Sequence, residues 1–212
     1  MAEVKRILYV GGHSDDIEIG CSGTILKNYA QNPRCRQAMA IFSLCETDSG
    51  LDFTAEEILE DMRNATRVLG VRWEDVYTFN FPNTRLPERA YEIRNVLECI
   101  RDRYQPDVVY CNTVHDRHQD HVAVAKACIR AFRGGEELRF YEGYAILPEF
   151  KPNVYVDIGA QMDGKIEVLK CYKTQEKRRY WDEALWTAKA RVRGNEVGFK
   201  YAEAFELLRR IE

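Results

Sequence analysis

The sequence has no long hydrophobic run and no excess of charge of either sign. Its 212 residues include 31 Lys and Arg against 34 Asp and Glu, for a formal net charge of -3. No apolar stretch approaches the roughly 18 to 20 residues that a membrane helix needs. Residues 1–10 mix charges into a short apolar stretch that runs directly into two glycines, unlike a signal peptide. A near-neutral chain also lacks the basic footprint of nucleic-acid-binding proteins. We therefore expect neither a membrane nor a nucleic-acid partner.

The cysteines show no pairing pattern. Their number is odd, they are scattered, and no C-x-x-C motif occurs. Disulfide frameworks usually combine an even count with close spacing in a secreted chain, so this pattern predicts reduced thiols and a cytoplasmic protein. The seven positions are 21, 35, 45, 99, 111, 128 and 171.

Segments typical of strands and helices alternate along the chain. Strands separated by helices of this length imply right-handed βαβ units on a mainly parallel sheet. No linker or repeat interrupts them, so residues 1–212 are predicted to form one α/β domain, a Rossmann-like three-layer sandwich. The predicted strands are 6–10, 37–45, 75–81, 107–112, 138–144 and 154–158. The predicted helices are 20–29, 54–69, 87–104, 121–132, 161–172, 181–191 and 197–211.

Two local patterns refine this outline. Thr54 can cap the second helix with Glu57 as its three-residue partner, and Gly70 can end that helix. The basic run at 170–179 (KCYKTQEKRR) is interpreted as a solvated helix face, with a binding patch as the alternative.

Histidine is scarce, and all four histidines lie in acidic loops after predicted strands. His13 follows the first strand in VGGHSDDIEIGCSG, beside Asp15 and Asp16. The other three lie within seven residues after the fourth strand, in NTVHDRHQDH. That second group consists of His115, His118 and His121, accompanied by Asp116 and Asp120.

The expected topology brings the two loops together. Doubly wound sheets bind ligands beyond the carboxyl ends of their strands, where the strand order reverses. In the common 3-2-1-4-5 order, strands 1 and 4 are neighbours at that point. The sequence therefore predicts a site at the C-terminal ends of strands 1 and 4.

The residue types at that site favour a metal. Two neutral imidazoles and one carboxylate are a typical catalytic zinc set. The metal acidifies a water molecule and polarises a carbonyl, and a second carboxylate can take the water proton. An Asp-Asp pair after a strand more often caps a helix, and a lone histidine is usually structural. Four of four histidines in two acidic loops nevertheless favour the metal site.

Other chemistries fit less well. The glycines at 11, 12, 20 and 23 suggest a dinucleotide loop, but G-x-G-x-x-G is absent and the charged HSDDIE insert would repel a pyrophosphate. No G-x-S-x-G surrounds Ser14, so a serine nucleophile is unsupported. Cys21 and Cys111 lie near the predicted site, where a Cys–His pair is conceivable. We interpret both as packing residues.

The two histidine motifs resemble those of the PIG-L/LmbE-like deacetylases, zinc-dependent enzymes that remove acetyl groups from N-acetylglucosamine-type sugars. The segment GHSDDI at 12–17, followed by GCSGTI at 20–25, is similar to the family's A-H-P-D-D-E motif and glycine-rich helix start. HQDH at 118–121 matches the family's H-x-D-H in full. The similarity extends over nearly the whole chain. It includes VLGV at 68–71, FPNTRL at 81–86, VYVDIG at 154–159, KTQ at 173–175, ARVRG at 190–194 and YAEAF at 201–205.

The resemblance implies a role for each site residue. His13, Asp16 and His121 would be the metal ligands. Asp15 would be the general base. His118 would be protonated and would stabilise the oxyanion or protonate the leaving amine, and Asp120 would orient His118. Zinc is the implied metal, with Fe²⁺, Co²⁺ or Mn²⁺ as alternatives.

Some positions depart from the family pattern. Ser14 replaces the usual proline, and Ile17 replaces the usual glutamate. A substrate-binding arginine that many members carry is replaced by Ile58, so Arg63 or Arg85 is the candidate for that contact. His115 and Asp116 receive no firm role; His115 either lines the pocket or is exposed.

The resulting functional hypothesis is a metal-dependent deacetylase of an N-acetylated amino sugar or its conjugate. A non-catalytic sugar- or metal-binding relative and an amidase acting on a larger sugar amide are the alternatives. The expected partner is a small soluble amino-sugar substrate, and loops 46–53 and 80–87 are expected to set substrate choice. Relatives are often oligomeric, so the resemblance allows a homo-oligomer.

Overall fold

A computed structural model describes residues 5–45 and 53–210 of the chain, and seven strands in this part form one sheet. The order across the sheet is β3-β2-β1-β4-β5-β7-β6. The strands are β1 (Arg6–His13), β2 (Arg36–Ser43), β3 (Val76–Thr78), β4 (Val108–Cys111), β5 (Glu137–Tyr141), β6 (Val154–Asp157) and β7 (Ala202–Arg209). The first five strands run parallel in the predicted 3-2-1-4-5 order.

Helices cover both faces of the sheet, as the three-layer prediction requires. Buried side chains of α1, α2 and α5 pack on one face, and those of α3 and α4 pack on the other. Helix α6 packs against the outer side of α1 and α5. The helices are α1 (Asp16–Gln31), α2 (Ala55–Leu69), α3 (Ala90–Tyr104), α4 (Gln119–Ala131), α5 (Met162–Lys170) and α6 (Glu183–Glu196). In the described part of the chain, no helix is both long and apolar enough to cross a bilayer.

The sequence of β1 is a continuous apolar run because helices cover both faces of the strand. Ile7 and Tyr9 point into one helical layer, whereas Leu8 and Val10 point into the other. All four side chains are buried because a parallel strand in the middle of a doubly covered sheet has no solvent face.

The second helix begins and ends as predicted. Thr54 accepts a hydrogen bond from the backbone of Glu57, whose carboxylate accepts one from the backbone of Thr54. Gly70 ends the helix with a φ of 71°, a left-handed conformation that favours glycine. These two contacts satisfy backbone groups that the helix itself leaves without partners.

The prediction of a helix at 197–211 is wrong, because strand β7 occupies Ala202–Arg209. This strand is rich in helix-forming Ala, Glu and Leu, but it pairs antiparallel with both β5 and β6. Glu203 is buried on it and accepts hydrogen bonds from the backbones of Gly23 and Thr24 and from Lys165. Tertiary pairing thus overrides the local helix propensity.

Candidate metal centre and active site

The first half of the site is the tight connection between β1 and α1. His13 ends the strand, Asp15 is the N-cap of the helix, and Asp16 is its first residue. All three side chains are buried, with at most 6% exposure. The positive end of the helix dipole stabilises two carboxylates at this position.

The second half is the start of α4, which follows β4. His118 is the N-cap of this helix, and its Nδ1 accepts a hydrogen bond from the backbone N–H of Asp120 at 3.3 Å. His121 lies in the first turn and is 1% exposed. Because Nδ1 of His118 is an acceptor, the neutral ring carries its proton on Nε2.

The two halves meet because β1 and β4 are adjacent. The His13 Nδ1 lies 3.1 Å from the His121 Nε2, which in turn lies 3.1 Å from the Asp16 Oδ1. The His13 Nδ1 also lies 3.5 Å from the Asp16 Oδ2. Residues from loops more than a hundred positions apart in sequence thus form one cluster, at the predicted end of the sheet.

The spacing of these donor atoms fits a single metal ion. Two ligands of one tetrahedral zinc, each at about 2.1 Å, lie about 3.4 Å apart. The nitrogens of His13, His118 and His121 also lie within 4.8 Å of one another. Both a His₂Asp set with Asp16 and a His₃ set with His118 are therefore compatible with the geometry. His13 and His121 belong to both sets.

Asn112 and Asp116 hold the cluster in place, and the sequence assigned neither a role. The Asn112 amide accepts from the backbone of Gly12 at 2.9 Å and donates to the Asp16 Oδ2 at 3.2 Å. The Asp116 carboxylate lies 3.0 Å from the His121 Nδ1, so the His121 Nε2 is directed at the cluster. The acidic residues between the histidines of NTVHDRHQDH were a sequence signal for Asp116. Asn112 follows β4 without any such signal.

Asp120 contacts a different histidine from the one the resemblance implies. Its Oδ2 lies 3.2 Å from the His13 Nε2, and its carboxylate accepts backbone hydrogen bonds from Thr84 and Leu86. Its link to His118 runs through the backbone N–H. Asp120 therefore orients the His13 ring and ties the loop before α3 to the site.

Buried charges set the protonation of the histidines. Burial disfavours a charged His13, but hydrogen bonds with Asp120 and Asp16 outweigh burial and raise its pKa to about 9. Burial also acts against a charged His121, yet the charge of Asp16 and the bond to Asp116 raise its pKa to about 10. Burial acts to raise the pKa of Asp16, but the His121 charge outweighs burial and holds that pKa well below its usual value. Because the His13 Nδ1 and the His121 Nε2 lie 3.1 Å apart, a single proton fits between them, and a bound metal ion would displace it.

His118 behaves differently. Burial, together with repulsion from the charged His13 and His121, lowers the pKa of His118 to about 4. This direction is opposite to the protonated His118 that the resemblance implies. At neutral pH, His118 in this arrangement is a neutral hydrogen-bond donor through Nε2.

A pocket opens over the cluster, with about 350 Å³ of empty space. Asp15 lines it and accepts a hydrogen bond from the Tyr180 hydroxyl at 3.2 Å. Burial and the neighbouring Asp16 charge raise the pKa of Asp15. Tyr180 stacks on Tyr144 with ring centroids 3.9 Å apart. The remaining lining residues are His13, Ser14, Asp16, Cys45, Asn83, His118, Gln175 and Arg178.

The loop that lacks the family's proline is held by a buried tyrosine. The Tyr172 hydroxyl lies 2.6 Å from the Ser14 carbonyl oxygen and 2.7 Å from the Glu18 Oε1. All three residues are buried. This contact fixes the peptide between His13 and Asp15 without a proline.

The arginines proposed for substrate contact do not line the pocket. Arg63 stacks on Trp73 at 4.9 Å, and Arg85 donates to Glu88 at 2.7 Å. His115 also lies apart from the other histidines, with its Nε2 3.9 Å from Glu206. Loop 46–53 lies outside the described residues except for Phe53.

The interpretation of 170–179 as a helix face is wrong. Helix α5 ends at Lys170, and a 3₁₀ turn over Lys173–Gln175 follows. The turn redirects the chain toward the site, so Gln175 and Arg178 line the pocket. Their signal in the sequence was the KTQ similarity at 173–175, which contains Gln175 and ends three positions before Arg178.

The cysteines are consistent with packing. All seven are free thiols, and Cys21 and Cys111 are fully buried. Burial raises the pKa of both thiols well above the usual value, so neither is a thiolate at neutral pH.

Comparison with known proteins shows the family of this chain. The family model PIG-L, described as GlcNAc-PI de-N-acetylase, matches residues 8–132. The chain is 31% identical over 176 residues to YaiS of Escherichia coli K12, an uncharacterized deacetylase, covering 80% of this chain and 91% of that one. It is 24% identical over 235 residues to the diacetylchitobiose deacetylase of Thermococcus kodakarensis, covering 97% and 84%.

A solved structure extends the likeness to the whole fold. The conserved protein TT1542 from Thermus thermophilus matches with a TM-score of 0.82 at 25% identity, over 99% of this chain and 97% of that one. The family match includes most of β1, all of β4 and both histidine loops. With the YaiS similarity added to it, the chain belongs to the PIG-L family of GlcNAc-PI de-N-acetylases.

Proposed function

We propose that this protein hydrolyses the N-acetyl group of an amino sugar or its conjugate, releasing acetate and a free amine. The observation that carries the proposal is the meeting of HSDD and HQDH around one cluster of donor atoms beneath a pocket. The relatives named as deacetylases support the reaction type, and the diacetylchitobiose enzyme supports a sugar substrate.

We propose that His13, Asp16 and His121 hold the metal, with zinc as the first candidate. The Asp16 Oδ2 is occupied by the backbone N–H of His13 and the Asn112 amide, which leaves its Oδ1 facing His121. His118 lines the pocket and is more exposed than His121, as suits a residue that contacts substrate. A bound divalent ion would supply a Lewis acid that polarises the acetyl carbonyl and acidifies water.

The residues of this chain divide the remaining chemistry. Asp15 is buried at the pocket wall, and its raised pKa suits a base that accepts the proton of the attacking water. The Nε2–H of His118 donates to the oxygen that becomes negative as the tetrahedral intermediate forms. Collapse of that intermediate breaks the C–N bond, and the proton held by Asp15 passes to the leaving nitrogen.

The pocket walls contribute orientation. Tyr180 holds the Asp15 carboxylate through its hydroxyl, and Tyr144 stacks against Tyr180 beside the pocket. Aromatic faces of this kind suit the apolar face of a sugar ring.

The seven free thiols support the cytoplasmic location that the sequence predicts.

The test measures acetate release from N-acetylglucosamine, chitobiose and UDP-N-acetylglucosamine. Activity should disappear with a chelator and return with added zinc. Asp15→Asn should keep the bound metal but lose at least about 100-fold in turnover, because general-base catalysis contributes about that much or more. Asp102→Asn, an exposed change on α3, is the matched control and should retain full activity. Retained activity in Asp15→Asn, or acetate release that ignores the chelator, would contradict the proposal.

A further inference from the structure

Arg178 is a pocket residue with one unsatisfied guanidinium N–H. It lies after the 3₁₀ turn and lines the pocket together with Asp15, Gln175 and Tyr180. Among residues 5–45 and 53–210, its buried Nε has no hydrogen-bond partner. The guanidinium carbon lies over the Tyr180 ring, 5.9 Å from the ring centroid.

Two other half-buried arginines have close anionic partners. Arg193 donates to Glu142 at 2.8 Å, and Arg139 forms an ion pair with Glu137. Arg178 forms no ion pair with the nearby Asp15, whose carboxylate is taken by the Tyr180 hydroxyl. A buried N–H without a partner costs free energy that a ligand can recover.

The chemistry of the guanidinium indicates which ligand would recover it. Its planar fork matches phosphate and carboxylate oxygens in a bidentate manner. A neutral sugar would offer the guanidinium no negative oxygen, whereas an anionic group could accept a charge-assisted hydrogen bond from the Nε–H of Arg178. Arg178 thus gives the pocket wall beside Asp15 a cationic donor for a negative group.

We propose that Arg178 is a specificity-determining residue that binds an anionic substituent, a phosphate or a carboxylate, on the amino-sugar substrate. This inference rests on the proposed deacetylase function and names its substrate class. Arg178 lies outside residues 8–132, the range matched by the family model, so that match assigns it no role.

The experiment compares kcat/KM for neutral N-acetylglucosamine with kcat/KM for its 1-phosphate, its 6-phosphate and N-acetylmuramic acid. The two phosphates and the carboxylate separate the possible sources of the anion. Arg178→Ala should lower kcat/KM about 10- to 100-fold on the preferred anionic substrate, the usual effect of losing a charge-assisted hydrogen bond. The loss on the neutral substrate should be clearly smaller, because Arg178 acts there only through the charge of Asp15, and Arg178→Lys should restore part of the loss on the anionic substrate. Arg179→Ala, at the exposed neighbouring position, is the matched control.

A binding measurement separates this inference from the proposed function. Calorimetry of the metal-free protein should detect glucosamine 6-phosphate, glucosamine 1-phosphate or muramic acid more tightly than glucosamine. The preference should vanish in Arg178→Ala. If no substrate is turned over but this preference holds, the inference stands and the deacetylase function fails. Equal losses of kcat/KM on neutral and anionic substrates would overturn the inference. Arg178 would then only balance the charge of Asp15. No anionic preference in the wild-type protein, by turnover or by binding, would also overturn it.

Discussion

Replacing Glu18 by Gln is expected to stabilise the protein at alkaline pH. The Glu18 side chain is completely buried, and its Oε2 has no hydrogen-bond partner among the described residues. The Tyr172 hydroxyl faces both the Glu18 Oε1 and the Ser14 carbonyl, but it carries a single proton. Both contacts are satisfied only if Glu18 is protonated and donates to Tyr172. Burial accordingly raises the pKa of Glu18 to about 8.

The sign and size of the effect follow from linkage. The unfolded chain releases the Glu18 proton above its ordinary pKa of 4.5, whereas the folded protein keeps it until about pH 8. The unfolded state therefore binds fewer protons in this interval, and stability falls by about 1.4 kcal/mol for each pH unit. Over the whole interval, the loss is roughly 5 kcal/mol. Glutamine cannot ionise, and its amide N–H can donate to Tyr172 in place of the acid.

The assay is urea unfolding of the wild-type and Glu18→Gln proteins from pH 5.5 to 8.5, with a chelator present. The free energy of unfolding of Glu18→Gln minus that of wild type should rise by about 1.4 kcal/mol per pH unit up to pH 8. The titrations of His13 and His121 cancel in this difference because both proteins contain them. Glu56→Gln, at an exposed position of α2, should give a flat difference. A flat difference for Glu18→Gln as well would refute the protonated Glu18.

Three further changes test the site. Asp16→Ala should abolish tight metal binding, whereas His118→Ala should keep the metal within about threefold of wild-type affinity and lose turnover. Metal content and calorimetry measure both effects. Metal retained in Asp16→Ala but lost in His118→Ala would favour the His₃ set. Metal affinity should tighten as pH rises, by about 10-fold per unit below pH 9, because binding displaces the proton between His13 and His121, whose pKa values are raised to about 9 and 10. Calorimetry in buffers of different ionisation enthalpy should count about one proton released at pH 7, and none released would contradict the assignment. Tyr172→Phe should cost about 2 kcal/mol of stability in chemical unfolding, because it leaves the buried Ser14 carbonyl unpaired, and an unchanged midpoint would contradict that contact.

The meeting of the two histidine motifs was predictable because their signals are local. His13 and Asp16 follow directly from a buried strand, and His121 follows from another. A standard strand order sufficed to bring them together. Zinc-type chemistry needs particular side chains, and in this chain those side chains are rare enough to stand out in the sequence.

The parts that the sequence did not predict depend on long-range packing. The pairing of β7 with β5 and β6 outweighs its helix propensity, and no local pattern encodes that pairing. Tyr180 and Arg178 reach the pocket only because a 3₁₀ turn redirects the chain after α5. The Asp120 carboxylate faces His13 rather than His118 because the loop before α3 holds it there.

The position of β7 between β5 and β6 has a consequence for the order of assembly. Glu203 on this strand binds the backbone of Gly23 across 180 residues of sequence, and it also binds the buried Lys165. Gly23 belongs to the helix whose first turn carries Asp16. During synthesis, the contacts of the α1 backbone with Glu203 therefore form only after β7 has been made. Such non-local closure is slow compared with helix formation. A nascent chain that lacks β7 would present the histidine motifs without a finished sheet to support them, so metal loading is expected to follow completion of the sheet.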